Sequence, residues 1–477
     1  MKAKKTSVIF VAIIIFIITV GALASASEAG KKIESLSTSR EDQKRIALTI
    51  YNTNLGLVKD QRELQLPIGT VELKFMDVAS QIIPASVYIK SLVKSDSLQV
   101  LEQNYEYDLL NPQKLMDKYV GKEVKFYATP EVLGTATLLS NNNGPIFKIG
   151  DNITTRQPGE LIFPGIPENL ISKPTLVWLL ENTLSSLQEV EASYLTKGIS
   201  WRADYVLTLN DKDDKADLAG WVTIDNKSGA TYKDASIKIV AGDVNTVEDH
   251  DVIKQTKHFS EALTAKAQFK EEGFVEYHIY TLQRSATVKD NQTKQISLIN
   301  AGNIKVKKEF IFYGAQNYYR SHHTENISNQ KVGVYVEVVN RKEDNLGMPL
   351  PKGTIRVYKK DSDGSLQFAG EDSIDHTPKD EKVRVKLGDA FDVLGTRTQT
   401  DWQKMANDTY EAEFEISLRN HKEEDVVVKV IEPIPGDWKI LSSSHDYKKT
   451  EAFAAEFSIP VPKDNETKLT YRVRMRF

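Results

Sequence analysis

The sequence predicts an all-β chain of several domains. Three observations carry this. Short runs of β-branched and aromatic residues, many of them alternating apolar with polar, recur between turn signals from Ile46 to Phe477. Clear helix-start chemistry is confined to Asn111-Pro112. The 477 residues, 40% apolar and 27% charged, suit an ordered chain with about three cores at roughly 150 residues each.

The elements follow in order. Lys2, Lys4 and Lys5 precede an uncharged apolar run from Val8 to Ala24, and Ala24 and Ala26 have the small-x-small spacing of a signal peptidase site. Residues 1–26 are therefore expected to be a cleaved secretory signal; the run is also close to the length that spans a bilayer, so an uncleaved anchor is the alternative. The polar segment 27–45 reads as a flexible leader. An N-terminal β module over 46–185 begins with strands at Ile46–Tyr51, Val71–Phe75, Val87–Leu92 and Leu98–Leu101. One short helix is expected over 112–120, capped by Asn111 and ended by Gly121. The short strands around it, between Glu123 and Phe163, suggest a small barrel-like part. Thr175–Val190 is ambiguous: Leu176, Leu179, Leu180, Leu184 and Leu187 fit a helix face, whereas Thr175–Leu180 alone fits a buried strand.

A central β-sandwich is expected over 186–340. In Trp201–Leu209 every second residue, Trp201, Ala203, Tyr205, Leu207 and Leu209, forms one face. The charged stretch 243–272 reads as an insertion, with a short helix near Ser260–Phe269. A C-terminal β-sandwich over 341–477 closes the chain, from Thr354–Tyr358 through Leu469–Phe477.

Composition bounds the function. With no cysteine there is no disulfide scaffold, thiolate zinc site, iron–sulfur cluster or thiol nucleophile. An exported chain of this kind depends on core burial for stability. A formal net charge of −4 excludes a chain-wide basic field for nucleic acid. No nucleophile elbow, Gly-rich phosphate loop or H-E-x-x-H occurs, and no cofactor is implied. Ser91-Leu-Val-Lys94 matches S-x-x-K without its companion motifs. The adjacent His322 and His323 point to opposite faces of an extended chain, and Asp361-Ser-Asp-Gly364 reads as a hairpin turn.

The richest polar cluster is Glu371, Asp372, Asp375, His376, Asp389 and Asp392. His376, Asp389 and Asp392 are the candidate acid/base or metal-binding set. Loop-fixing turns explain the same residues without chemistry. Trp201, Trp221, Trp402 and Trp438 are candidates for a glycan-stacking platform. Trp201 and Trp221 lie in apolar alternation and are expected in the core; Trp402 and Trp438, after Thr400-Asp401 and Gly436-Asp437, are expected to be exposed. Arg472, Arg474 and Arg476 alternate with Leu469, Tyr471, Val473 and Met475, which reads as the arginine-lined solvent face of a last sandwich strand and a candidate surface for anionic lipid or polysaccharide. The same alternation with a terminal Phe477 also resembles the closing strand of an outer-membrane barrel, but Pro433, Pro435, Pro460 and Pro462 interrupt the region.

The segments 189–210 (EVEASYLTKGISWRADYVLTLN) and 218–245 (LAGWVTIDNKSGATYKDASIKIVAGDVN) resemble a bacterial envelope family, domain of unknown function 4139. Residues 347–402 and 417–477 are similar to the same family, and 50–92 looks like the N-terminal region that accompanies it. Some relatives carry a mucoidy-inhibitor label. The resemblance implies an exported, mostly β protein of the periplasm or cell surface, and brings no catalytic motif with it. The function expected is non-catalytic binding or envelope structure, with an envelope protein or a glycan as partner and no membrane contact beyond the signal or anchor. The alternative is an acid/base- or metal-dependent envelope hydrolase using 371–392.

Overall fold

The computed structural model describes residues 33–129, 132–167, 170–242, 268–274, 277–323, 327–451 and 453–476. The expected signal segment, most of the 243–272 insertion with its short helix, and Phe477 lie outside the described residues. Among the described residues the chain is all-β apart from one α-helix and short 3-10 turns, and no helix is long and apolar enough to cross a membrane. The chain divides into two compact units: residues 33–45, 60–80 and 87–192, and residues 46–59, 81–86 and 193–476.

The first unit holds a four-stranded sheet in the order Glu34–Thr38, Gly69–Met76, Thr175–Asn182, Leu98–Glu106. Glu34–Thr38 runs parallel to Val71–Phe75, so part of the expected flexible leader is an ordered edge strand. Its sequence, ESLST, has almost no apolar signal because it is held by backbone pairing rather than by burial. Thr175–Asn182 is a strand between two neighbours, which settles the helix-or-strand ambiguity. Leu176, Trp178 and Leu180 are buried, and Trp178 meets Phe75 edge-on at 5.7 Å.

The unit also holds a five-stranded antiparallel sheet in the order Asn152–Thr154, Ile146–Ile149, Val132–Ser140, Glu123–Thr129, Glu160–Ile162. It is open rather than barrel-like, because its end strands have three residues each and do not pair with one another. The helix Pro112–Tyr119 serves this sheet. Asn111 caps it by accepting the Lys114 N–H at 2.9 Å, and Tyr119 packs with Val124, Phe126, Leu138 and Phe147.

The second unit contains two sandwiches. One central layer runs Leu366–Ile374, Gly353–Lys360, Ile199–Leu209, Lys215–Asn226 and the first half of Gln292–Tyr313. Trp201, Ala203, Tyr205, Leu207 and Leu209 all point inward and are buried. The Trp201 indole N–H donates to the Val240 carbonyl at 3.0 Å, on Tyr232–Ala241 in the facing layer. The strands Gly353–Lys360 and Leu366–Ile374 thus belong to the central layer rather than to the C-terminal sandwich in which the sequence places them.

Two long strands carry the chain onward. Gln292–Tyr313 pairs with Lys215–Asn226, then Ile327–Val339, then Val426–Pro433. It bends near Asn303, whose φ is 59°, instead of ending there. Lys382–Lys404 pairs with Ile327–Val339 and then with Thr409–Asn420. The C-terminal sandwich packs Thr409–Asn420 and Asn465–Arg476 over Val426–Pro433 and Ala454–Val461. Phe414, Ile416, Val428, Val430, Phe457 and Tyr471 are part of its core.

Where strands change partners, carboxylates and lysines interlock. Asp213 meets Lys308 at 2.8 Å and Lys359 at 2.6 Å. Glu309 meets Lys429 at 2.6 Å, and Glu337 meets Lys382 and Arg384 at 3.0 Å each. Burial alone would raise these three carboxyl groups, but the cations beside them outweigh it and hold each below its ordinary value. Groups depressed on folding stabilise the protein above their unfolded pKa, about 4, and that contribution is lost as pH falls through the folded values. Melting temperature is expected to respond little to these groups between pH 7 and about 5, then to fall steeply below about 4. In the triple variant D213N/E309Q/E337Q the acid-side fall should be shallower and the neutral-pH stability lower, as read by calorimetry across pH.

Candidate ligand-binding face

The sequence-derived acid/base set is not brought together. His376 is exposed, and its Nδ1 accepts the Lys352 N–H at 3.2 Å. Asp389 lies on another strand, ion-paired to Lys386 at 3.0 Å, and it holds the Lys386 ammonium above its ordinary pKa. Asp392 is exposed and its backbone carbonyl accepts the His421 N–H at 2.7 Å. Glu371 pairs with Arg356 at 3.1 Å, and Asp372 accepts the Lys386 N–H at 2.8 Å. No group of three or more His, Asp or Glu among the described residues is arranged to hold a metal ion.

The C-terminal arginines form a ladder with acids on neighbouring strands. Arg474 meets Glu411 at 2.7 Å, Arg472 meets Asp401 at 2.7 Å and Glu413 at 3.1 Å, and Arg476 meets Asp408 at 2.8 Å. Four carboxylates face three guanidinia, so this surface lacks the positive excess that a polyanion needs.

Two of the tryptophans, Trp221 and Trp438, exchange places with expectation, while Trp201 is in the core as expected. Trp438 is buried because Asp437–Ser443 turns Trp438 and Ile440 toward the core, and Lys449 covers the ring at 4.6 Å. Trp402 is half-buried against Tyr410, ring centroids 5.3 Å apart. Trp221 is 38% exposed rather than buried, while Trp178 and Trp201 are buried. In Lys215–Asn226 the inward residues are Ala216, Leu218, Gly220, Val222 and Ile224, so position 221 faces solvent. That phase is legible in the even-numbered apolar positions; the inward Gly220, having no side chain, obscures it.

Trp221 lies on the solvent face of the central layer. Strand register aligns Ser373, Thr354, Asp204, Trp221 and Ser297 across five strands. The next row aligns Arg202, Thr223 and Gln295. The polar groups interlock. Arg202 meets Asp225 at 2.5 Å and Asp204 at 3.4 Å, and Arg356 bridges Asp204 and Glu371. The Thr223 hydroxyl donates to Asp204 at 2.6 Å and accepts from the Gln295 amide at 3.1 Å. Partial burial would raise the Asp225 carboxyl, but the Thr293 hydroxyl and the Arg202 guanidinium hold it below its ordinary value. A cleft of about 390 Å³ opens at one end of the face, lined by Thr53, Trp201, Arg202, Thr354, Ser373 and His376 among others.

This arrangement presents fixed donors and acceptors beside one flat apolar ring. It can orient a ligand; the Thr223 hydroxyl that meets Asp204 is itself covered, the residue being 1% exposed. A comparison of the chain with protein-family models gives no match, and a comparison with curated proteins gives none either.

Proposed function

We propose that this is an exported bacterial envelope protein that acts by binding rather than by catalysis, in keeping with its resemblance to the domain of unknown function 4139 family. One observation supports this most: the His376 ring and the Asp389 carboxylate are engaged in separate local contacts, while the solvent face around Trp221 is an ordered polar array. The cationic stretch, apolar run and A-x-A spacing at the N-terminus support export to the periplasm or cell surface.

Capture from detergent-treated envelope fractions tests the reading. The tagged protein should retain an envelope component, and H376A and D389N should retain it equally. Recovery in the cytosol with no envelope component bound would contradict it, as would a hydrolytic activity that both variants lose.

A further inference from the structure

We infer that the Trp221 face is a binding platform for an uncharged glycan chain, which rests on the binding reading above and names its ligand class. Four features of the face point to this class. The first is shape: five neighbouring strands present one row, and four inter-strand steps of about 4.8 Å span roughly 19 Å, about the length of four sugar rings. The second is the ring. A pyranose has an apolar face of axial C–H groups, which packs on the electron-rich face of an indole. Trp221 is 38% exposed and sits between Asp204 and Ser297 in register.

The third feature is hydrogen-bonding chemistry. Sugar hydroxyls donate and accept at once, and they are best met by fixed planar groups of both kinds. Arg202 and Arg356 supply donors, the exposed Glu371 supplies an acceptor, and Gln295 supplies both. Their mutual contacts hold them in place before a ligand arrives, so little side-chain freedom is lost on binding.

The fourth is charge, which decides between ligand classes. Arg202 is ion-paired to Asp225 and Asp204, and Arg356 to Asp204 and Glu371, so neither guanidinium is left over. A polyanion would have to displace these carboxylates, and a polycation would have to displace the guanidinia. An uncharged polyhydroxyl chain displaces only water. The adjoining cleft, which shares Arg202, Thr354 and Ser373 with the face, gives room for a branch or a bulky ring substituent at one end.

The test is an array of uncharged hexose and N-acetylhexosamine oligosaccharides about four to eight units long, with a uronic-acid polymer alongside. It is run on the full chain and on W221A, W221F and F391A. Phe391 is 93% exposed and outside this face, so F391A reports general stickiness. The inference expects an uncharged oligosaccharide to bind, W221A to weaken it at least tenfold, W221F to restore most of the affinity, and F391A to bind like the parent. Equal melting temperatures for W221A and the parent would show that folding is not the cause. The inference is overturned by an array without hits, by W221A binding as the parent does, or by preference for the uronic-acid polymer that salt abolishes. Retention of an envelope component by W221A would then leave the broader binding reading intact, and loss of all envelope retention in the parent chain would remove that reading too.

Discussion

Replacing Arg397 with methionine is expected to destabilise the C-terminal sandwich by about 3–5 kcal/mol, the usual cost of stranding a buried charge. Arg397 lies on Lys382–Lys404 and Glu432 on Val426–Pro433, and both side chains are fully buried. The guanidinium donates to Glu432 and lies 4.8 Å from the Phe312 ring centroid and 5.2 Å from that of Tyr318. Glu432 in turn accepts from the hydroxyls of Tyr319 at 2.5 Å and Tyr471 at 3.0 Å. Burial drives both phenols well above their ordinary pKa, so they remain donors. R397M leaves the carboxylate with hydroxyl partners only, in a place water does not reach. The double variant R397M/E432L should recover most of the loss, because it removes both charges and leaves Tyr319 and Tyr471 bonded to each other at 2.7 Å. Urea unfolding of the four proteins of the cycle, compared at constant slope, measures the coupling. Equal effects of the single and the double variant would contradict this account.

A loss of the same order, about 3–5 kcal/mol, is expected from R62M in the other unit. Arg62 is fully buried 3.5 Å over the Phe75 ring, and it donates to Asp60 at 2.9 Å and to the Met76 carbonyl at 2.7 Å. Methionine keeps the stem packed on Phe75 but leaves the buried Asp60 without its cation. Phe75 is also where Trp178 packs, so the damage should spread along Gly69–Met76 and Thr175–Asn182. Hydrogen exchange should show protection lost in those two strands before the Thr409–Asn420 and Asn465–Arg476 pair. Uniform loss across all of them would argue against a local role.

Much of the fold is legible where alternation is strong. Trp201–Leu209 announces its buried face directly, and Asn111-Pro112 announces the helix. What is not legible comes from long-range pairing. Glu34–Thr38 and Gly353–Lys360 both join parallel neighbours far away in the chain, and nothing local encodes such a partner. Gln292–Tyr313 runs through Gly302-Asn303, residue types that favour turns, yet there the strand only bends.

The candidate site is hard to read from sequence for related reasons. Residues close in sequence, such as His376 and Asp389, made a plausible catalytic cluster, but they lie on chain segments with different neighbours. Residues that do meet, such as Arg356 and Asp204 or Gln295 and Thr223, are far apart in sequence and join through register. Trp438 follows a Gly-Asp turn and so looks exposed, although the strand begins at Asp437 and the next side chain faces inward.

We propose that the protein binds its ligand and does not turn it over. The most direct test of this incubates the purified chain with isolated envelope polysaccharide and measures both the protein that co-sediments and the soluble fragments released. Saturable retention, no more fragments than a protein-free control, and reduced retention in W221A are the predicted result. Fragment release that grows with time and exceeds the protein in molar amount, and that H376A abolishes, would contradict it.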